Sequence, residues 1–522
     1  MSLAATTSRA GAALQAMGGV AILFVCWEFA ATGLAGSFLL AGPVEVARWL
    51  AAHPGLIARA LTVTLANGAT GFVLGNLAAV LLAGAALVWP RSQPVIAGLA
   101  LLVFCLPLVA TGPILRVLTG PGSGPQIALA ALAVFYTTLI PLLVGLRAAP
   151  AVWFDLIRSH GRGRMAELIH IRAPSALPYL FAGLQIAAPA AVLGAMVGEF
   201  TGAERGLGVL TIRFLRALDV PGLWAVGAVA AAASILAYAG IAALARAVLR
   251  EAPPLILSLP QSGRGPGIAA SGLIVAALAL LIWWAGMEAL SLNPFFAKRP
   301  GDVIEALLSA PDAAATRDTL RAALAETAVY LLPGYLAGLV MGAGLAMAVT
   351  LLPAAAALAM PLAVALRSVP IVTTAPLVVI ALGRGTVGTI TLVGIMIFFP
   401  TFVACLHGLR QVPGQIRDVF DCYAAGRISR LIHLQIPAML PAFFAAARMA
   451  VPASVLAVTV VEWLATGRGI GSLMARSASL SDYDMLWSCV LVVAALSALG
   501  HAAIAGIERR LLSVMAPEQV RQ

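Results

Sequence analysis

Twelve stretches of this chain are long and apolar enough to cross a bilayer, because a helix spanning the roughly 30 Å hydrocarbon layer needs about 20 apolar residues. Lipid offers the backbone no hydrogen-bond partner, so such stretches must be helical. In the first half they lie near 12–34, 62–89, 94–117, 125–147, 179–200 and 223–248. In the second half they lie near 266–288, 326–350, 356–382, 387–410, 441–464 and 486–508. The pattern predicts an all-α integral membrane protein. The first stretch has only Arg9 before it and no polar break after a short apolar core, which reads as a retained anchor and not a cleaved signal.

Composition agrees. Hydrophobic residues make up 61% of the 522 and charged residues only 10%, with a mean hydropathy of +1.01. A net charge of +11 invites a nucleic-acid reading, but the arginines sit mostly in short loops between apolar segments, where positive charge orients membrane helices. Nucleic acid is therefore not an expected partner. The five cysteines are scattered singly without CxxC spacing, so no metal site is expected.

The chain matches itself at a shift of 263 residues. Gly71 and Gly75 fall on Gly334 and Gly338; Pro107, Thr111 and Pro113 fall on Pro370, Thr374 and Pro376. Further on, Asp155, Gly163, Arg164, His170, Pro174 and Pro178 meet Asp418, Gly426, Arg427, His433, Pro437 and Pro441. Glu199, Arg205, Gly206, Gly208 and Trp224 meet Glu462, Arg468, Gly469, Gly471 and Trp487. Trp27 and Pro43 match Trp284 and Pro300 at a shift of 257, which places a six-residue insertion early in the first half. Six helices per copy is an even number, so both copies enter the membrane in the same direction. The expected organisation is a first six-helix repeat at 1–250, a Pro/Gly-rich linker at 251–266 and a second six-helix repeat at 267–522.

Two connections are long, about 30 residues each at 148–178 and 411–441, and arginine-rich, which makes them cytoplasmic by the positive-inside rule. Trp153, Leu156 and Ile157, then Met165, Leu168 and Ile169, recur at helical spacing on either side of Gly161 and Gly163. The spacing predicts two short amphipathic helices joined at a glycine turn and stopped by Pro174 and Pro178. Their duplication favours a docking element over a surface helix resting on lipid headgroups.

These loops resemble the cytoplasmic coupling loop of binding-protein-dependent ABC importer permeases, with Asp155 through Gly161 and then Pro174 through Pro178 carrying the likeness. Gly42-Pro43 after the first helix, Leu180 through Ile186 opening the fifth, and Glu199 followed by Arg205-Gly206-Leu207-Gly208 resemble the nitrate, sulfonate and taurine type. The resemblance covers nearly the whole chain twice and implies two permease units fused in one chain, a type I importer fold in a bacterial inner membrane. It implies a non-enzymatic subunit served by two ABC ATPase subunits that bind ATP and Mg, and by a periplasmic or lipid-anchored solute-binding protein. The chain cannot bind ATP through a Walker A loop, since its only lysine is Lys298, followed by Arg299.

Carried over residue by residue, the coupling positions are Asp155, Gly161, Gly163, Arg164, Pro174 and Pro178, and Asp418, Ala424, Gly426, Arg427, Pro437 and Pro441. Asp155 and Asp418 stand where the family usually has Glu, and Ala424 replaces the turn glycine. A Cβ at positive φ costs roughly 1–2 kcal/mol, so Ala424 is expected not to make the turn of Gly161, leaving it to Gly426. That would rotate the second docking face.

Glu199 lies 19 residues beyond Leu180, roughly 29 Å along a helix, which puts it and Glu462 at the outer interface as capping or gate residues, with solute contact as the alternative. Thr111 and Thr374 are candidates for the solute pathway, and His170 and His433 are expected to pack within the loops. Rival readings are a fused permease of the iron or thiamine type and, further off, a secondary transporter with parallel repeats. No catalytic or metal residue is assigned.

Overall fold

A computed structural model of the chain describes residues 21, 24–33, 40–120, 122–249, 268–352, 385–412 and 414–515, with isolated positions between 353 and 384. Among them every regular element is helical. In the first half these are α1 (Pro43–Ala52), α2 (Pro54–Val88), α3 (Gln93–Cys105), α4 (Leu108–Thr119), α5 (Gly124–Gly145), α6 (Ala151–Ser159), α7 (Arg164–Glu199), α8 (Leu207–Ala217) and α9 (Val220–Val248). In the second they are α10 (Ile268–Ala289), α11 (Pro300–Leu308), α12 (Ala313–Leu351), α13 (Thr386–Arg410), α14 (Gly414–Cys422), α15 (Arg427–Leu464), α16 (Gly469–Ser479) and α17 (Tyr483–Met515). Prolines open α1, α2 and α11, where the missing N–H would be unpaired anyway.

Nine helices among the described residues are long and apolar enough to span a membrane: α2, α5, α7, α9, α10, α12, α13, α15 and α17. The pair α3 and α4 makes a tenth candidate, bent by 95°. The stretch 94–117 is therefore not one straight span. Leu106, preceding Pro107, is held extended at φ −66°, ψ 133°, and the proline lacks the N–H that would continue the helix. The expected span at 356–382, most of that at 12–34 and the linker at 251–266 fall outside the described residues.

The duplication is visible in the packing. α5 lies between α2 and α7, and α13 lies between α12 and α15. Glycines set these approaches. A Cβ on Gly71 or Gly75 would collide with Ala130 or Ala131, and one on Gly334 or Gly338 with Val393 or Ile397. The two halves share buried cores: Val192 and Met196 of α7 belong to one cluster with Val393, Val458 and Val461.

Tryptophans mark the edge of each half, with one correction to the repeat. The Trp27 indole donates to the Ala41 carbonyl at 3.0 Å, and its ring lies 5.3 Å from Trp224. Trp283 donates to Lys298 at 3.0 Å and stacks on Trp487 at 5.0 Å. Trp283, not Trp284, is the structural counterpart of Trp27. One residue along a helix turns a side chain by about 100°, and Trp284 accordingly points outward, 49% exposed.

Candidate functional site: coupling loops and carboxylate clamps

Helices α7 and α15 carry a candidate site at each end. At the N-terminal end of each, a short amphipathic helix turns back into the long helix. α6 ends in a reverse turn closed by the Gly161 N–H to Arg158 carbonyl bond at 2.9 Å and the Arg162 N–H to Ile157 carbonyl bond at 3.2 Å. Gly161 occupies the left-handed region at φ 67°. The next helix starts from Gly163, whose carbonyl accepts from Ala166 at 3.0 Å. Arg164 is its first residue.

The second loop makes the same turn, contrary to expectation. Ala424 sits at φ 47°, its N–H bonds Asp421 at 3.0 Å, and the Ala425 N–H bonds Phe420 at 3.0 Å. Gly426, at φ −67°, does not take the turn over; it precedes Arg427 as Gly163 precedes Arg164. The steric cost of roughly 1–2 kcal/mol is borne by the loop, not avoided. The docking face is therefore not rotated.

The prolines do not stop the helices either. α7 passes through a π turn at Leu168–Arg172 and continues through Pro174 and Pro178; α15 does the same at Leu431–Gln435 before Pro437 and Pro441. The ring of Pro174 or Pro437 would crowd the carbonyl four residues back, and the wider i→i+5 turn contains that carbonyl. His170 and His433 are exposed, not packed, each with Nδ1 3.1 Å from a carbonyl of its own helix.

Both loops leave apolar side chains uncovered. Val152, Trp153, Leu156, Met165 and Ile169 are more than half exposed in the first; Val419, Tyr423 and Ile428 are in the second, with Ile416 and Ile432 close behind. Asp155 and Asp418 are exposed on the same short helices. A salt bridge ties the two arms of each loop together. Arg158 Nε meets Glu167 Oε1 at 2.8 Å, and Arg430 Nη1 meets Asp421 Oδ1 at 2.5 Å. Positions 158 and 167 correspond to 421 and 430 at the shift of 263, so the same brace is built twice with its charges exchanged. The Glu167 hydrogen bond and charge raise the Arg158 guanidinium above its ordinary pKa.

At the far end of each long helix lies a buried carboxylate. Glu199 is 1% exposed and Glu462 0%. Thr64 Oγ1 donates to Glu199 Oε1 at 2.7 Å, the Gly208 N–H donates to Oε2 at 2.6 Å, and the Leu207 N–H donates to Thr64 Oγ1 at 2.9 Å. In the second half Thr327 donates to Glu462 Oε1 at 2.8 Å, Gly471 to Oε2 at 2.8 Å, and Ile470 to Thr327 at 2.9 Å. Each clamp joins three segments: α2 or α12, the end of α7 or α15, and the start of α8 or α16. Gly206 (φ 139°) and Gly469 (φ 82°) admit the carboxylate, since a Cβ on either would collide with it.

The copies differ by one contact. Glu326 Oε2 accepts from the Gly469 N–H at 2.8 Å, and the corresponding first-half residue is Val63. Thr64, Thr327, Glu326 and the brace pairs were not singled out from the sequence. The shared register of Thr64 and Thr327 was the available signal. Thr111 is buried, 8% exposed, with its hydroxyl donating to Leu108 at 2.9 Å; Thr374 lies outside the described residues.

Residues 58–250 and again residues 334–513 match the family of the binding-protein-dependent transport system inner membrane component. The chain belongs to that family. It is thus a multi-pass permease of an ATP-driven ABC importer, not itself an enzyme, in a family that works with a separate ABC ATPase and a solute-binding protein. It is similar to a probable ABC transporter permease protein of Haemophilus influenzae, 28% identical over 42% of this chain and 91% of the relative. It is similar also to the formylaminopyrimidine transport permease ThiX of Halalkalibacterium halodurans, 28% identical over 44% of this chain and 92% of the relative. The taurine transport permease TauC of Escherichia coli is 25% identical over 45% of this chain and 86% of the relative. Each nearly complete relative accounts for less than half of this permease. No solved structure matches it.

Proposed function

We propose that this permease supplies both membrane units of the importer by itself, one from 1–250 and one from 267–522 joined by 251–266, and engages two ABC ATPase subunits through its two long loops. The carrying observation is that both loops, separated by 263 residues, fold to the same turn and leave an apolar face uncovered. ATP and Mg belong to the ATPase subunits. On this reading the loops face the cytoplasm, lipid surrounds the spans, and a periplasmic or lipid-anchored binding protein delivers solute to the opposite side. The carboxylate clamps then act at the outer side, fixing the gate-forming segments and not contacting solute. The transported solute is of the small sulfonate, nitrate or vitamin-precursor class, which the taurine and formylaminopyrimidine permeases among its relatives support.

Native mass spectrometry of the transporter assembled with its ATPase should show two ATPase subunits per chain. One ATPase per chain would overturn the two-loop reading. Uptake into proteoliposomes, driven by ATP and the cognate binding protein, is expected for an alkanesulfonate, nitrate or a pyrimidine precursor. Uptake of iron or thiamine alone would overturn the solute class.

A further inference from the structure

The charge exchange between the two braces coincides with the loss of the turn glycine. Arg430 makes two bonds at once: Nη1 to the Asp421 carboxylate at 2.5 Å and Nε to the Ala425 carbonyl at 2.8 Å. Asp421 and Ala425 flank the left-handed Ala424, and their backbones take part in the two hydrogen bonds that close the turn. The guanidinium therefore spans the strained residue from both sides. A carboxylate at that position could do only half of this, because it accepts hydrogen bonds and cannot donate one to a carbonyl. The first loop has that carboxylate, Glu167, and there the turn residue is Gly161, which needs no support at φ 67°.

We propose that Arg430 is a positioning residue that holds the second coupling loop in its docking conformation, and that the reversed polarity of the brace compensates for alanine at position 424. The functional part of this inference rests on reading the loops as the ATPase contacts; the structural part does not. The compensation makes residues 424 and 430 energetically coupled. The corresponding first-loop pair, Gly161 and Glu167, has no such coupling.

The test is a double-mutant cycle read in two ways. In the detergent-solubilised full chain, Arg430→Gln should speed hydrogen exchange at the Ala425 amide about tenfold, and by no more than about twofold when Ala424→Gly is also present. Arg430→Lys, which keeps the charge and three donors but on a single nitrogen, should retain more protection than Arg430→Gln. In the transporter assembled with ATPase and binding protein, the same cycle should appear in stimulated ATP hydrolysis, with Arg430→Gln more harmful beside Ala424 than beside Ala424→Gly. Equal acceleration of exchange in both backgrounds would overturn the compensation. Coupled exchange with uncoupled hydrolysis would uphold the compensation and remove the docking reading from this loop.

Discussion

The two ends of α7 and α15 treat the same duplication in opposite ways. At the carboxylate end, Thr64, Glu199, Gly206 and Gly208 reappear as Thr327, Glu462, Gly469 and Gly471 with the same bonds. At the loop end, Arg158 and Glu167 reappear as Asp421 and Arg430, with the charges exchanged. The difference follows from burial. A buried carboxylate must satisfy its acceptors from fixed neighbours, and a change in one member strands the others. The loop pairs are half-solvated, with Arg158 61% and Asp421 50% exposed against 9% for Glu167 and 34% for Arg430, so the outer partner of each pair keeps its water and either polarity is tolerated as long as the pair stays complementary.

The largest expected effect breaks the clamps. Glu199→Ala or Glu462→Ala strands the Gly208 or Gly471 N–H, leaves the threonine hydroxyl only the Ala60 or Ala323 carbonyl of its own helix, and empties a buried site, and we predict a loss of about 2–4 kcal/mol in either half. Unfolding of the detergent-solubilised permease measures this, and a large loss in one half with none in the other would end the equivalence of the clamps. Thr64→Val and Thr327→Val come next, at about 1–3 kcal/mol, with Thr→Ser at both positions restoring most of it because the hydroxyl is retained. If serine behaves like valine, packing of the threonine methyl and not the hydrogen bond holds the helices.

The smallest effect sharpens the contrast at the loops. Arg158→Asp alone places two carboxylates together and should loosen the first loop, read as faster exchange at the Arg162 amide. Arg172 also lies 3.9 Å from Glu167, where the second loop has Gln435, so adding Glu167→Arg together with Arg172→Gln recreates the charge pattern of the second loop and should restore protection. Failure of the reversed pair to do so would show that polarity at this brace is not free.

Much of this arrangement was legible beforehand. The 263-residue shift, the apolar spans and the glycine contacts of Gly71 and Gly334 are properties of periodicity and residue size, which sequence displays directly. The Thr64 to Glu199 bond was not, because it crosses 135 positions and depends on how α2 meets α7. Ala424 shows the subtler limit. Its steric cost alone argued against the turn that it makes, and Arg430, six residues downstream, becomes a partner only once the chain has turned back. Pro174 and Pro437 failed as helix stops for a related reason: a π turn places the crowded carbonyl in a wider ring, an option that residue identity does not announce.

That π turn has a mechanical consequence. Because it joins the loop to the spanning helix without a break, α7 is one continuous helix of 36 residues, about 54 Å long at 1.5 Å per residue. Force applied beside Gly163 acts through a lever whose other tip is Glu199. One degree of tilt about the loop end sweeps that tip by about 1 Å, roughly a third of a hydrogen-bond length. Small angular work at one face of the membrane is thereby delivered as atomic displacement at the other, at the point where three segments are pinned together.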